Sequence, residues 1–299
     1  MIQALGLLKP CYVFAPRTLV RRVRSGLFGM SEHRGVVRLP WGVDLEVNPL
    51  EGIGRELLHQ NIFDIAVSET AWRLLHAGDL AVDVGANIGY TASLFAAKAG
   101  RAGRIEAFEP HPRVFRRLAA NAAGWARHAT MATVTLHECA VGASDGRALL
   151  TEPGAFGINE GAARLVPASG GMQVAPLDVR VARLDSVLAD APIALLKVDV
   201  EGFEGEVFLG AEGLLKSGRI AHIIYEAHDR ERSPLHEQLR VHGYSIFGIG
   251  HDLFGPRLTT GAAPPRIDAR WESPNYLATL HPNVALPALR PRGWQVLRP

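Results

Sequence analysis

A chain of 299 residues, 47% hydrophobic and 21% charged, is long enough to bury a substantial core without staples, which excludes a disordered or fibrous protein. Its 32 basic and 30 acidic residues leave a net charge of +2, too weak a field to point to a nucleic-acid partner. Cys11 and Cys139, with no paired spacing, argue against a disulfide framework or a structural zinc site and read as reduced thiols. No run reaches the roughly 18 apolar residues of a spanning helix, and the N-terminus lacks the order of a signal peptide. No integral membrane segment is therefore expected, and the cytoplasm is the default location.

The first 78 residues read as an accessory region. It opens with a basic amphipathic stretch to about Arg24, and the basic residues Lys9, Arg17, Arg21, Arg22, Arg24, Arg34 and Arg38 face the single acid Glu32 within the first 40. A solvated face accounts for such a cluster. The alternation from Val36 to Val47 around Pro40 and Gly42 predicts a hairpin. Leu57, Leu58, Ile62, Ile65, Ala66, Trp72 and Leu75 stand near helical spacing and predict one or two helices closing at Gly78.

A different pattern follows. Leu80–Val84 is a short apolar run ending in glycines, residues 88–99 are Ala-rich and helical, and Arg104–Glu109 is another strand. A helix after Pro112 leads to a strand at 132–137, and Ile193–Asp199 and Ile220–Glu226 are again apolar strands separated by a helical segment. Continuous apolar strands alternating with helices predict an α/β fold, a doubly wound, mostly parallel sheet with helices on both faces. Residues 143–182, Gly-rich and broken by Pro153, Pro167 and Pro176, form an insertion too long for a plain connection. Its glycines at 154, 157, 161, 170 and 171, beside Phe156, Ile158 and Leu165, suit a lid or an acceptor wall. Residues 244–249 and 275–280 supply two last strands, and 282–299 read as an irregular Pro-rich tail.

The loop Asp83-Val84-Gly85-Ala86-Asn87-Ile88-Gly89 sits at the carboxyl end of a strand feeding a helix, where open α/β sheets bind ligands. Gly85 admits a close backbone approach, Asn87 tolerates a left-handed conformation, and Gly89 allows tight helix packing. Glu109, at the end of the second strand, is placed to grip a ribose diol. A dinucleotide fingerprint needs a second glycine where this chain has Asn87, and Asp83 would repel a pyrophosphate. S-adenosylmethionine carries an ammonium and a sulfonium and no phosphate, so the same carboxylate favours it.

These residues, with Phe108-Glu109-Pro110, Asn121, the stretch Lys197-Val198-Asp199-Val200-Glu201-Gly202-Phe203-Glu204 and Ile224-Tyr225-Glu226, resemble the FkbM-type S-adenosylmethionine-dependent methyltransferases over roughly residues 75–280. The resemblance implies a Rossmann-like seven-stranded sheet and O-methylation of a hydroxyl on a sugar, polyketide or other secondary metabolite. It divides the chain into an accessory region (1–78), a methyltransferase domain (79–281) and the tail (282–299). A nicotinamide-dependent oxidoreductase and a non-catalytic cofactor-binding protein are the alternatives.

Methyl transfer to a hydroxyl needs a group that takes the proton. Asp199, at the end of its strand beside the first strand, is the first candidate, and it could instead hold the cofactor's amino end. Glu226 and His228, after the next strand, are the others. Glu201 and Glu204 equally suit a helix N-terminus. Asp199, Glu226 and His228 are of the type that could share a divalent ion, but their spacing shows no coordination pattern and no metal ligand is assigned. The expected partner is a small hydroxylated acceptor, and the oligomeric state stays open, a homodimer included.

Overall fold

The computed structural model describes residues 9–14, 35–151, 164–166, 176–188, 191–260 and 274–298. The basic stretch read to Arg24 lies outside them, apart from the one-turn helix α1 (Pro10–Val13). The predicted hairpin forms as β1 (Gly35–Arg38) and β2 (Asp44–Val47), antiparallel and in register from Gly35↔Val47 to Arg38↔Asp44. Two helices follow, α2 (Gly52–Gln60) and α3 (Ile65–Leu74). The alternating βα part comprises β3 (Leu80–Val84), α4 (Tyr90–Ala99), β4 (Arg104–Phe108), α5 (Pro112–Trp125) and β5 (Thr133–His137). After the insertion come β10 (Ile193–Val198), α7 (Glu204–Gly210), α8 (Glu212–Lys216), β11 (Ile220–Glu226) and α9 (Pro234–Arg240). The chain then runs through β12 (Ser245–Asp252), β13 (Gly255–Thr260), β14 (Asn275–Thr279) and α10 (Pro282–Leu289).

The main sheet has the order β13-β12-β14-β11-β10-β3-β4-β5. β11, β10, β3, β4 and β5 are parallel, and β14 runs antiparallel between β11 and β12. Among the described residues this is eight strands, where the family resemblance implies seven. The extra strand is β13, folded back on β12 from Asp252↔Gly255 to Gly248↔Thr259. Pro256 masks it in the sequence, because a proline removes a ladder donor; on an edge strand that loss is tolerated.

The insertion is not a plain irregular loop. β6 (Ala140–Val141), β7 (Gly146–Thr151), β8 (Arg164–Val166) and β9 (Leu177–Ala182) build a second sheet in the order β6-β9-β7-β8, and α6 (Leu184–Leu188) returns the chain to β10. The lid glycines at 154, 157, 161, 170 and 171 lie outside the described residues. The sheet's base packs on α7, where a Cβ on Gly210 would stand 2.1 Å from the Gly142 carbonyl oxygen.

The accessory region is built into the same core as the βα units. Val37, Leu39, Leu45 and Leu57 are buried with Ile88, Phe95 and Leu118 in one cluster. Asn121 ties the hairpin down: its Oδ1 accepts from the Glu46 N–H (2.8 Å) and its Nδ2 donates to the carbonyls of Glu46 (3.2 Å) and Ile88 (2.9 Å).

The expected irregular tail is ordered over most of its length. α10 and a 3₁₀ turn (Gln295–Leu297) bury Ala285, Leu289, Trp294, Val296 and Leu297. The cause lies in α3, where Glu69 and Arg73 form a buried ion pair one helical turn apart. Arg73 donates to the carbonyls of Pro291 (2.7 Å) and Gly293 (2.7 Å), and Glu69 accepts from the N–H groups of Gln295 (2.9 Å) and Val296 (2.8 Å). Proline-rich backbone that cannot form a regular ladder thus finds its partners in two side chains. Arg73→Met strands a buried carboxylate and should cost about 3 to 5 kcal/mol, read from urea unfolding. A smaller loss, with the tail as protease-resistant as before, would show that apolar packing alone holds it.

Candidate active site

The turn between β3 and α4 is shaped by three residues with positive φ: Gly85 (+82°), Asn87 (+49°) and Gly89 (+94°). Each is demanded by a different neighbour. A Cβ on Gly85 would stand 1.9 Å from the Asp199 carbonyl oxygen, so glycine lets the loops after β3 and β10 close on each other. The sequence predicts a close approach at Gly85, and this structure fills it with protein backbone. A Cβ on Gly89 would fall 2.5 Å from the Trp125 ring and 2.7 Å from Leu118, so this glycine sets α4 against α5. Asn87 takes the left-handed position as expected, its Oδ1 accepting from the next N–H, that of Ile88, at 2.7 Å.

Glu109 follows β4 and is nearly buried. Its Oε2 accepts from the Asn87 N–H (3.0 Å) and its Oε1 from the His111 N–H (2.9 Å). Burial pushes its carboxyl up to about 7, against the pull of those two amides. A carboxylate offers about four acceptor positions, so two remain for a ligand's hydroxyls. His111 caps the turn: its Nδ1 accepts from the Arg113 N–H (3.2 Å) at the start of α5.

Asp83 and Lys197 are direct neighbours across the β3–β10 pair. Lys197 Nζ lies 3.0 Å from Asp199 Oδ2 and 4.0 Å from Asp83 Oδ1. Asp83 is fully buried; neither oxygen has a partner at full hydrogen-bonding geometry among the described residues, though the Ala92 N–H of α4 is near enough to favour its ionised form. Burial pushes its carboxyl up to about 6, with Lys197 pulling it down and Asp199 pushing it further up. Burial works to lower the lysine, but Asp199 and Asp83 outweigh it and raise Lys197 above its ordinary value, so it stays an ammonium. The cation beside Asp83 is thus the protein's own. Asp199 is more open, its side chain 41% exposed. The loop behind it holds Glu201 at φ +56° and Gly202 at +96°, and the buried Glu204 fastens it by accepting from the Gly202 N–H at 3.0 Å.

Glu226 ends β11 and stands opposite Asn275 of β14. Asn275 Nδ2 donates to Asp64 Oδ2 (2.9 Å), while Asp64 Oδ1 accepts from the Val67 N–H (3.1 Å) as the N-cap of α3. Burial raises the Asp64 carboxyl; the Val67 N–H, His251 and Lys197 draw it down and Asp199 pushes it up. His228 is exposed in the turn beyond β11. The fold therefore gathers Asp83, Lys197 and Asp199 in direct contact, with Glu226 and Asp64 within electrostatic reach of Lys197. Among the described residues no group of three or more His, Cys, Asp or Glu side chains is arranged to hold a metal ion.

Sequence reasoning missed Asp64, Asn275 and His251. Asp64 carried one readable signal, an Asp just before an amphipathic helix, and that signal points to a cap rather than a site.

An acid-lined loop at the switch point of a doubly wound sheet, with an acid ending the second strand, is the architecture of S-adenosylmethionine-dependent methyltransferases. The comparisons with known proteins agree. The model of the methyltransferase FkbM domain matches residues 83–246. The 31-O-demethyl-FK506 methyltransferase FkbM of Streptomyces tacrolimicus is 31% identical over 255 residues, 75% of this chain and 94% of that protein. Among solved structures, a methyltransferase FkbM from Methylobacillus flagellatus is 18% identical over 67% of this chain, with a TM-score of 0.45, and this chain spans only 43% of that one. An S-adenosylmethionine-dependent O-methyltransferase from Thermotoga maritima is 12% identical over 75% of this chain and 69% of its own, with a TM-score of 0.41. The chain belongs to the FkbM methyltransferase family and is an S-adenosylmethionine-dependent methyltransferase of that type. The nicotinamide-dependent alternative falls with that assignment.

Gly85→Ala places a methyl group into the Asp199 carbonyl at a left-handed position. It should destabilise the fold by at least about 2 kcal/mol, measured by chemical denaturation. Wild-type stability would mean that the two loops are free to part.

Proposed function

We propose that the protein methylates a hydroxyl oxygen of a small molecule and that Asp199 is the general base. The observation that carries this reading is the half-exposed Asp199 carboxylate, fixed by Lys197 at 3.0 Å and set against Gly85 of the motif loop. The printed name of the Streptomyces relative, a methyltransferase for a 31-O-demethyl compound, supports oxygen as the accepting atom.

S-adenosylmethionine, when bound, supplies an electrophilic methyl group on a sulfonium and leaves as a neutral thioether. The residues of the β3–α4 turn fit it. Gly85, Asn87 and Gly89 shape a loop that calls for no phosphate on its ligand, Glu109 has acceptor capacity for hydroxyls, and Asp83 keeps a carboxyl group in the floor. Asp199 borders both this side and the acceptor's side. An alcohol is too weakly acidic to attack unaided, so its proton passes to the Asp199 carboxylate as the new bond to carbon forms. Lys197 holds that carboxylate in place. Glu226 and His228, after the neighbouring strand, are the next candidates for the proton. The second sheet, seated on α7 beside the Asp199 loop, is the proposed wall of the acceptor side. Both cysteines are buried and free, in keeping with a cytoplasmic enzyme.

With a trideuteromethyl donor and a panel of hydroxylated acceptors, mass spectrometry should find the label on oxygen. Asp199→Asn should lower turnover about 10² to 10⁴-fold while S-adenosylhomocysteine binds nearly as well, and His228→Ala should cost less. Full turnover in Asp199→Asn would remove it from the role.

Glu109 adds a pH dependence of definite sign. Its raised value means that the fold favours the protonated form, so its contribution to stability falls as pH rises from the ordinary carboxylate range through about 7. Ligand hydroxyls favour the ionised form, so binding of S-adenosylhomocysteine should be about tenfold weaker at pH 6 than at pH 8 by calorimetry. Glu109→Gln should flatten that profile; a steep profile in the variant would place the titrating group elsewhere.

A further inference from the structure

A group that takes a proton has to be held within about 0.5 Å of its working position, and a side chain just beyond a strand inherits its direction from the peptide units on either side. At Asp199 both units are fixed. Its own N–H donates to the Val84 carbonyl of β3 at 3.1 Å, which sets the unit before it. The unit after it runs from the Asp199 carbonyl, seated over Gly85, to the Val200 N–H, which points at Glu204 Oε1 in a long contact of 3.4 Å. The same oxygen accepts from the Gly202 N–H at 3.0 Å.

Between those two amides lies Glu201 at φ +56°, a conformation that residues with a side chain rarely adopt, and Gly202 follows at +96°. Such backbone persists only where its surroundings over-determine it. Amides that converge in this way make a seat for an anion, and the chain fills it with its own carboxylate. Glu204 is buried, and as the first residue of α7 it turns back to the preceding loop. That helix is anchored away from the site: Val207 and Phe208 are buried with Leu196 and Tyr225, and Gln238 of α9 donates to the Gly205 carbonyl at 3.2 Å. Glu204 thus carries the position of a packed helix into the loop that presents Asp199.

We infer that Glu204 is a positioning residue for the proton transfer: by holding the Val200 and Gly202 amides it sets the direction from which the Asp199 carboxylate meets the acceptor hydroxyl. It acts through Asp199 and takes no proton itself. This rests on the reading of Asp199 as the general base.

Two substitutions of similar size separate its parts. Glu204→Gln keeps an accepting oxygen without the charge, and Glu204→Met fills the space with neither. Full-length wild type, both variants, Asp199→Asn and the Asp199→Asn/Glu204→Met double variant are given a trideuteromethyl donor and the hydroxylated acceptor that wild type labels fastest. Glu204→Met should lower kcat about 10- to 100-fold, with the acceptor KM and the affinity for S-adenosylhomocysteine within about threefold, the pattern of a misplaced group rather than a lost binding contact. Glu204→Gln should recover kcat to within about fivefold of wild type, because the accepting oxygen is restored. On the Asp199→Asn background Glu204→Met should change kcat by less than about threefold, since the group that it orients is already disabled. Should the methionine variant lose its cooperative thermal transition, Glu204→Asp, which withdraws the oxygen by one methylene, takes its place in the cycle with an expected loss of at least about fivefold. Wild-type kcat without the Glu204 oxygen in place, no recovery with glutamine, or a loss that persists in full on the Asp199→Asn background overturns the inference and leaves the base assignment standing. Full turnover in Asp199→Asn overturns that assignment and this inference with it, as does the absence of labelled product from wild type.

Discussion

An ammonium group inside a parallel sheet has to be answered by anions, and the arrangement of Lys197 carries much of the site with it. The residue lies in the central strand β10, almost fully buried, where an unpaired charge would be prohibitive. Asp83, its register neighbour, and Asp199, two residues on, supply the answer. Two acids about one lysine leave a surplus of negative charge at the point where the carboxyl ends of β3 and β10 meet. The Asp199 N–H donates to the Val84 carbonyl at 3.1 Å, and the missing side chain of Gly85 leaves room for the Asp199 carbonyl, so the two loops stay joined there. On the far side Glu204 holds the Gly202 amide.

A second set of supports lies outside the alternating βα units. α3 carries Asp64 at its N-cap and the Glu69–Arg73 pair farther along, so one helix both meets β14 through Asn275 and clamps the tail. The clamped tail in turn covers the β12–β13 hairpin, with Trp294 Nε1 donating to the Leu253 carbonyl at 3.0 Å and the Trp294 ring edge-on to His251. Asn121, part of the sequence pattern shared with the family, proves to be a bridge between the β1–β2 hairpin and the motif loop.

How far the sequence is legible follows from how local each feature is. Strands β3, β10 and β11 show as apolar runs because both their faces are covered, and the glycines at 85 and 89 show as turn chemistry before their partners are known. The partners are a different matter. Nothing near Gly85 announces that Asp199 fills the space above it, since the contact joins positions far apart in the chain. β13 is hidden by Pro256, and the order of the tail depends on a salt bridge more than 200 residues away. Asp64 and Asn275 meet across 211 positions, and each alone reads as an ordinary cap or turn residue.

That division runs through the candidate site itself. The features proposed to face the cofactor are encoded within short stretches, Asp83 to Gly89, Glu109 and Lys197 to Glu204, where small shifts would break hydrogen bonds to backbone amides. α3, β12 and β14 are encoded farther apart: β14 is laddered to β11 from His222↔Thr279 to Glu226↔Asn275, and Asn275 reaches from it to Asp64 at the start of α3. The Tyr90 hydroxyl ties Phe63, next to Asp64, to the helix that starts at the motif loop, and so holds the start of α3 at a set distance from that loop although the two lie more than twenty positions apart.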